Sequence, residues 1–193
     1  MNVQSEIADK KESILKSTLE LIRSNGFHGT PISLIAQKAG VAAGTIYHYF
    51  PNKDAIIIEL HREIKKNMVA EMFNPANSKK DYREQFFEGW TSLCKYLIKH
   101  PASLTFIEQF NSSPYAKMVC PTDAKASVNK FNEFFQSGMD KGYIKKMEYG
   151  LIASVVFGCI TATAKYHIAG RFDFTDKKLC TIANILWDGI KAR

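Results

Sequence analysis

The chain has 193 residues, of which 46% are hydrophobic, enough to bury a core and to exclude a disordered tail or a fibrous repeat. Its net charge of +7 is compatible with nucleic acid or an anionic surface, but the surplus lies beyond residue 55. Up to that point Lys10, Lys11, Lys16, Arg23, Lys38 and Lys53 meet Glu6, Asp9, Glu12, Glu20 and Asp54, so charge by itself does not make this stretch a DNA binder.

Residues 1–8 lack the basic start and apolar core of an export signal, which predicts a cytoplasmic protein. Cys94, Cys120, Cys159 and Cys180 are far apart, with no C-x-x-C pair and no histidine at a ligand-like interval. Buried thiols are expected, with Cys120 beside Pro121 as the alternative of a redox sensor. The five histidines form no H-E-x-x-H pattern, and His61 between Glu59 and Glu63 reads as a solvated helix face. No metal and no cofactor are expected.

In chain order, Ile14, Leu15, Thr18, Leu19 and Ile22 recur at three and four and predict a helix over about 10–25, ended by Gly26. Phe27 follows as a plug for a small bundle. Thr30-Pro31 reads as a cap and first helical residue, with Ile32, Ile35, Ala36 and Ala39 on one face. Gly40 stops that helix, Val41 turns inward, and a second short helix runs over about 43–50. Two short helices on a glycine turn make a helix-turn-helix, whose second member lies in the major groove of a duplex.

Ile46 and Phe50, four apart, anchor that second helix. Thr45, Tyr47, His48 and Tyr49 then cover its other faces with groups suited to thymine methyls, base acceptors and phosphates. Asn52 caps a third helix, with Lys53 in its first turn beside a phosphate and Asp54 where the helix dipole favours an acid. The competing reading makes Tyr47, His48 and Tyr49 core aromatics of a small bundle.

The run from Gly44 through Thr45, Ile46, Tyr47, His48, Tyr49, Phe50, Pro51, Asn52, Lys53 and Asp54 to Ala55 closely resembles the signature of the TetR family of one-component bacterial repressors. The resemblance is strong over residues 10–60, including Ile35-Ala36 and Ala39-Gly40-Val41, and elsewhere extends to length and helical character. It implies that Thr45, Tyr47, His48 and Lys53 meet DNA, with Ala43 and Gly44 opening the reading helix and Thr30 and Ser33 completing the contact set. Three positions depart from the family: Ala42 where a capping Ser is common, Ala43 where Lys or Arg is common, and Ser33 where Arg often touches phosphate. Fewer phosphate contacts predict a flatter salt dependence.

The third helix continues past Leu60 and Ile64 to about Phe73, longer than a reading head needs, and Asn74-Pro75-Ala76-Asn77-Ser78 breaks it. It reads as the rod along which the rest of the chain reaches the head. Five more helices follow, at roughly 80–99, 102–111, 122–141, 148–169 and 175–191, with no strand pattern. The fold class is all-α: a head over 1–55 with its linking helix 53–73, and a helical ligand-binding and dimerisation domain over 56–193. Thirteen Phe and two Trp make the second part rich in aromatics. A plain core explains them, or an apolar pocket. The resemblance favours a pocket, with Phe86, Trp90, Phe110, Phe131, Phe135, Cys159 and Thr163 as candidate ligand contacts.

Residues 149–164 carry no charge but are too few and too rich in small residues to span a bilayer, so no membrane is expected and the helix reads as buried. Gly150, Ser154, Gly158 and Ala162 recur every four residues, a flat stripe that lets another helix approach. The last helix adds Ile182, Leu186 and Trp187. These residues are expected to pair two copies as a four-helix bundle, or else to cap the monomer core. The whole predicts a homodimeric transcriptional regulator, a repressor that binds a palindromic operator in double-stranded DNA and is released by a small hydrophobic or aromatic effector. The alternatives are a ligand- or partner-binding protein with a vestigial head, and an enzyme. The enzyme reading is poor, because the inward positions are Phe, Leu, Val and Ile rather than Glu and His.

Overall fold

The 3.6-residue spacing of apolar side chains becomes nine α-helices in the computed structural model, which describes residues 3–119 and 121–192, without the side chains of 3–8, 77 and 121–129. They are α1 (Val3–Asn25), α2 (Ile32–Ala39), α3 (Ala43–Tyr49), α4 (Lys53–Met72), α5 (Tyr82–Lys99), α6 (Pro101–Asn111), α7 (Pro121–Asp140), α8 (Tyr149–Ile168) and α9 (Asp176–Ile190). Among the described residues the sole β feature is an isolated bridge between Ile144 and Lys191. The all-α expectation holds, with helix ends within a few residues of those read from the sequence. The exception is α1, which starts at Val3 rather than near Lys10. Cys120 lies outside the described residues.

The helices gather into two compact units, which divide the chain otherwise than at residue 55: one takes the chain through Ile64 together with Ala102–Pro121, the other Lys65–Pro101 and the chain from Thr122. The first unit is built on Ile14, Ile22, Ile35, Ile46, Ile56 and Ile57, all with essentially no exposure. Each such burial contributes roughly 1.5–3 kcal/mol. Gly26 takes φ +68° and donates its N–H to the Ile22 carbonyl at 2.9 Å, a left-handed stop to α1 that favours glycine. Phe27 comes next and is buried, as the sequence predicts. Its neighbours are unexpected: Phe106 at 5.7 Å edge-on and Tyr115 at 5.1 Å, both from the segment that the sequence assigns to the C-terminal domain.

In the second unit α5 turns Phe86, Trp90, Leu93, Cys94 and Leu97 inward along one face. Asp81 caps it, its carboxylate accepting the Glu84 N–H at 2.8 Å. α5 packs chiefly on α8 and then on α9, and Trp187 of α9 comes within 5.4 Å of the Phe86 ring. Gly89 is buried where the end of α4 approaches, and a methyl there would overlap the Met72 carbonyl oxygen.

α8 differs from its expectation. It has 20 residues and is long and apolar enough, by length and composition, to cross a membrane, yet only Ile152, Val156, Ile160, Thr163 and Ala164 are buried. The helix is therefore apolar all round with one face uncovered, not enclosed on both sides.

Candidate nucleic-acid interface

Gly40 adopts φ +67°, closing α2 with its N–H on the Gln37 carbonyl and the Val41 N–H on the Ala36 carbonyl at 3.0 Å. This left-handed residue lets α3 leave at a sharp angle to α2. α3 is then fixed by two side chains one turn apart, Ile46 and Phe50, both buried. Their rotation leaves Tyr47 56% exposed and His48 exposed, with Ala43 and Gly44 also at the surface and Thr45 and Tyr49 half-buried. The bundle-core reading of Tyr47 and His48 thus fails. No side chain caps α2 or α3, because Pro31 and Ala42 stand at their N-caps.

Thr30 is a correction. It is 1% exposed and its hydroxyl donates to the Gly26 carbonyl at 2.8 Å, closing the turn before α2 rather than capping that helix or facing a duplex. Ser33 is exposed. Asn52 caps α4, its side-chain oxygen accepting the Ala55 N–H at 2.8 Å. Lys53 is half-buried and its ammonium donates to the Phe27 carbonyl at 2.9 Å, which aims the side chain and leaves two of its three N–H groups for an external acceptor.

The cations around this head are largely matched by acids. Lys38 pairs with Glu20 at 3.0 Å, and Glu59 binds both Lys11, at 2.5 Å, and Arg62. Burial acts to raise the Glu59 carboxyl, but Lys11 and Arg62 outweigh it and hold the group below its ordinary range. The reading surface is thus polar and aromatic rather than strongly basic.

Three contacts that no sequence pattern announced tie the segment 102–117 to the head, two to α4 and one to the end of α1. His61 stacks on Phe110 at 4.0 Å and 12°, so it is not a solvated face. Tyr115 carries a hydrogen bond to Asp54, and burial, that bond and the nearby carboxylate push its phenol up. Gln109 lies close to Gly26. These partners are far apart in sequence, and only tertiary structure joins them.

Of the candidate ligand contacts, Phe86, Trp90, Phe131, Phe135 and Thr163 are buried in the second unit and Cys159 is half-buried there; Phe110 belongs to the first unit. Trp90 Nε1 is buried without a hydrogen-bond partner. Lys65 lies 5.8 Å from the Phe157 ring, and burial lowers its pKa. Cys94 is pushed up to about 12 by burial and by the neighbouring Cys159. The buried-thiol expectation fails for Cys180, which is exposed. No cluster of metal-ligating side chains occurs among the described residues.

On the dimer candidates, Gly150, Ser154, Gly158 and Ala162 are exposed on α8, with Leu151 and Val155 beside them. Leu186 and Trp187 are corrections: both are turned into the core, Trp187 against Phe86 and Tyr82. Ile182 is half-buried, and the exposed apolar residue of α9 is Ile185, at 68%.

A short helix held outward on a glycine turn, followed by an all-helical unit, is the arrangement of a helix-turn-helix regulator of transcription. Residues 14–60 match the family of bacterial regulatory proteins, tetR family, and residues 81–191 match the tetracyclin repressor-like C-terminal domain. The chain belongs to the TetR family. It is 30% identical over 112 residues to an uncharacterized HTH-type transcriptional regulator of Haemophilus influenzae, a match covering 58% of this chain and 60% of that protein. It is 29% identical over 164 residues to the fatty acid metabolism regulator protein of Bacillus subtilis, covering 80% and 81%. A TetR family transcription regulator from Marinobacter aquaeolei VT8 shares the fold at TM-score 0.90, with 21% identity over 98% of this chain and 100% of that one. So does a FadR regulator from Bacillus subtilis solved in complex with stearoyl-CoA, at TM-score 0.67 and 23% identity, covering 92% and 95%.

Proposed function

We propose that the protein is a homodimeric repressor that reads a palindromic or near-palindromic operator in duplex DNA and leaves it when a small apolar molecule binds its second unit. The observation that carries this reading is the outward rotation of Tyr47 and His48 by the buried pair Ile46 and Phe50. Ala43, Gly44, Thr45, Ser33 and Lys53 complete the DNA-facing set, whereas Thr30 supports it from inside. A reader of duplex DNA works in the bacterial cytoplasm.

The uncovered face of α8 with Ile185 of α9 supports pairing of two copies, since aliphatic side chains on a helix gain most by covering one another. Two copies place two reading helices on successive half-sites. The effector reading draws on the buried aromatics of α5 and α7 and on the Bacillus subtilis relatives named for fatty acid metabolism and for stearoyl-CoA. The unpartnered Trp90 N–H and the desolvated Lys65 favour an apolar ligand with a polar or anionic head, in the manner of a fatty-acyl compound. Such a ligand releases DNA by preferring the arrangement in which the reading helices are wrongly spaced. α4 is continuous from the first unit into the second, and α6 contacts Phe27 and His61, so both can carry the change toward Lys53.

The test is selection from a random duplex pool by the protein and by a Tyr47→Ala variant. Enrichment of a palindromic site by the parent alone is the expected result, and the enriched duplex then serves to screen stearoyl-CoA and shorter acyl compounds for release. Failure of both folded proteins to enrich any site would overturn the repressor reading in favour of a partner-binding role for a vestigial head.

A further inference from the structure

On the second unit lies a groove of about 470 Å³ that the repressor reading does not use. Its floor is a stack of rings. Tyr82, buried, lies between Phe134, 4.5 Å away at 12°, and Tyr143, 5.0 Å away at 7°. Gly138 leaves room for the Tyr82 hydroxyl, which donates to the Phe134 carbonyl at 3.2 Å; a methyl at residue 138 would overlap it. Tyr143 stacks on Tyr82 yet remains 48% exposed, so the stack ends on a ring that nothing in the second unit covers fully. Phe73 adds a further ring, 5.4 Å from Phe134.

The rim carries charge. Lys80, Lys130 and Lys141 line the groove with Asp81 and Glu133. Lys80 is paired with Glu88, and the Asp81 carboxylate is engaged as the cap of α5. Lys130 and Lys141 form no ion pair among the described residues. A purely apolar ligand would strip water from these ammonium groups without replacing it, and a bare inorganic anion would leave the ring surface unused. A ligand joining a flat ring to an anionic group uses both: the ring stacks on an aromatic side chain, and a phosphate or carboxylate accepts charge-assisted hydrogen bonds. The volume lies within the ordinary range of small-molecule sites.

We propose that this groove binds a planar aromatic anion of mononucleotide size, its ring laid on Tyr143 and its anionic group held by Lys130 and Lys141. The groove shares no residue with the DNA-facing set, and neither Trp90 nor Lys65 lines it; from α5 it takes Tyr82 and Gln85.

The experiment is titration of the intact protein with adenosine 5′-monophosphate, with adenosine and inorganic phosphate as separate arms. It is read by calorimetry and by the fluorescence of Trp187, whose ring lies 6.2 Å from Tyr82. Saturable binding of the monophosphate is expected, with each half at least tenfold weaker. Tyr143→Ala and the double change Lys130→Ala with Lys141→Ala each weaken it tenfold or more, and Tyr143→Phe retains it. Should Tyr143→Ala fail to fold, the lysine pair, which lies at the surface, carries the test. No saturable binding up to millimolar monophosphate would overturn the proposal, as would affinity unchanged in the folded variants or phosphate alone binding as tightly as the nucleotide.

Discussion

The reading head and the second unit expose opposite chemistry from similar helices. α3 is short, hides Ile46 and Phe50, and shows Tyr47 and His48, each an apolar ring with a hydrogen-bonding edge. α8 is long, hides five residues, and over 150–162 shows Leu151 and Val155 between small residues, its hydroxyls there turned back on the helix: Ser154 donates to the Gly150 carbonyl at 2.7 Å and Thr161 to the Gly158 carbonyl at 3.2 Å. A surface of the first kind suits a partner with a pattern of donors and acceptors, such as base edges. A surface of the second kind gains by meeting its own copy. The face proposed to meet DNA and the face proposed to pair two copies are thus chemically distinct.

The largest effect is expected at the join between α6 and the head. Phe110→Ala should cost about 3–5 kcal/mol in urea unfolding, because a nearly unexposed ring stacked on His61 is lost. The loss of amide protection should reach α4 and α1. If protection falls in α5 and α8 alone, residues 102–121 do not belong with the head.

Two glycines sharpen the contrast inside the second unit. Gly89→Ala should destabilise by about 1–3 kcal/mol, since the added methyl meets the Met72 backbone, which cannot move aside cheaply. Gly158→Ala meets nothing within 4 Å and should stabilise each chain by up to about 1 kcal/mol through helix propensity, while weakening association of copies. Equal effects on folding at both positions would contradict the packing described for α5.

A smaller effect is set by pH at the head. Glu59 has a folded pKa below its ordinary value, so its contribution is present at neutral pH and is lost as pH falls through and below the ordinary glutamate range. Glu59→Gln should cost about 1 kcal/mol or less at pH 7, and the difference from the parent should shrink to nothing in acid. A gap that persists at pH 3 would show that Lys11 and Arg62 are not the cause.

The smallest effect is chemical and leaves stability untouched. Cys180, exposed, should react readily with a thiol reagent in the folded protein, whereas Cys94, buried and with its thiol pushed up to about 12, should not react until unfolding. Mass spectrometry after brief labelling distinguishes them.

Much of this architecture was legible because local signals agree. Glycine stops, Pro breaks and apolar spacing placed the helices within a few residues, and the pair Ile46 and Phe50 rotated α3 correctly. What failed required knowing the partner of an apolar face. Phe106 and Phe110 lie within the stretch matched to the C-terminal domain, but spacing marks a face without saying what covers it, so their contacts with Phe27 and His61 could not be read. On α9, Ile182, Leu186 and Trp187 form one apolar face with Ile185 about 100° away, and only packing shows that Trp187 turns to Phe86 while Ile185 stays outside. Thr30 looked like a cap because Ser and Thr before a helix often are. Here its hydroxyl reaches back to Gly26 instead.

The most direct measurement of the central claim is the molar mass of the parent and of a Val155→Glu, Ile185→Glu double variant by sedimentation, alone and with the selected duplex. The parent should be a dimer that binds the operator as a dimer, and the variant a folded monomer whose operator affinity falls by about a hundredfold or more because the half-sites are no longer bound together. A monomeric parent, or a dimeric variant with undiminished affinity, would contradict the claim.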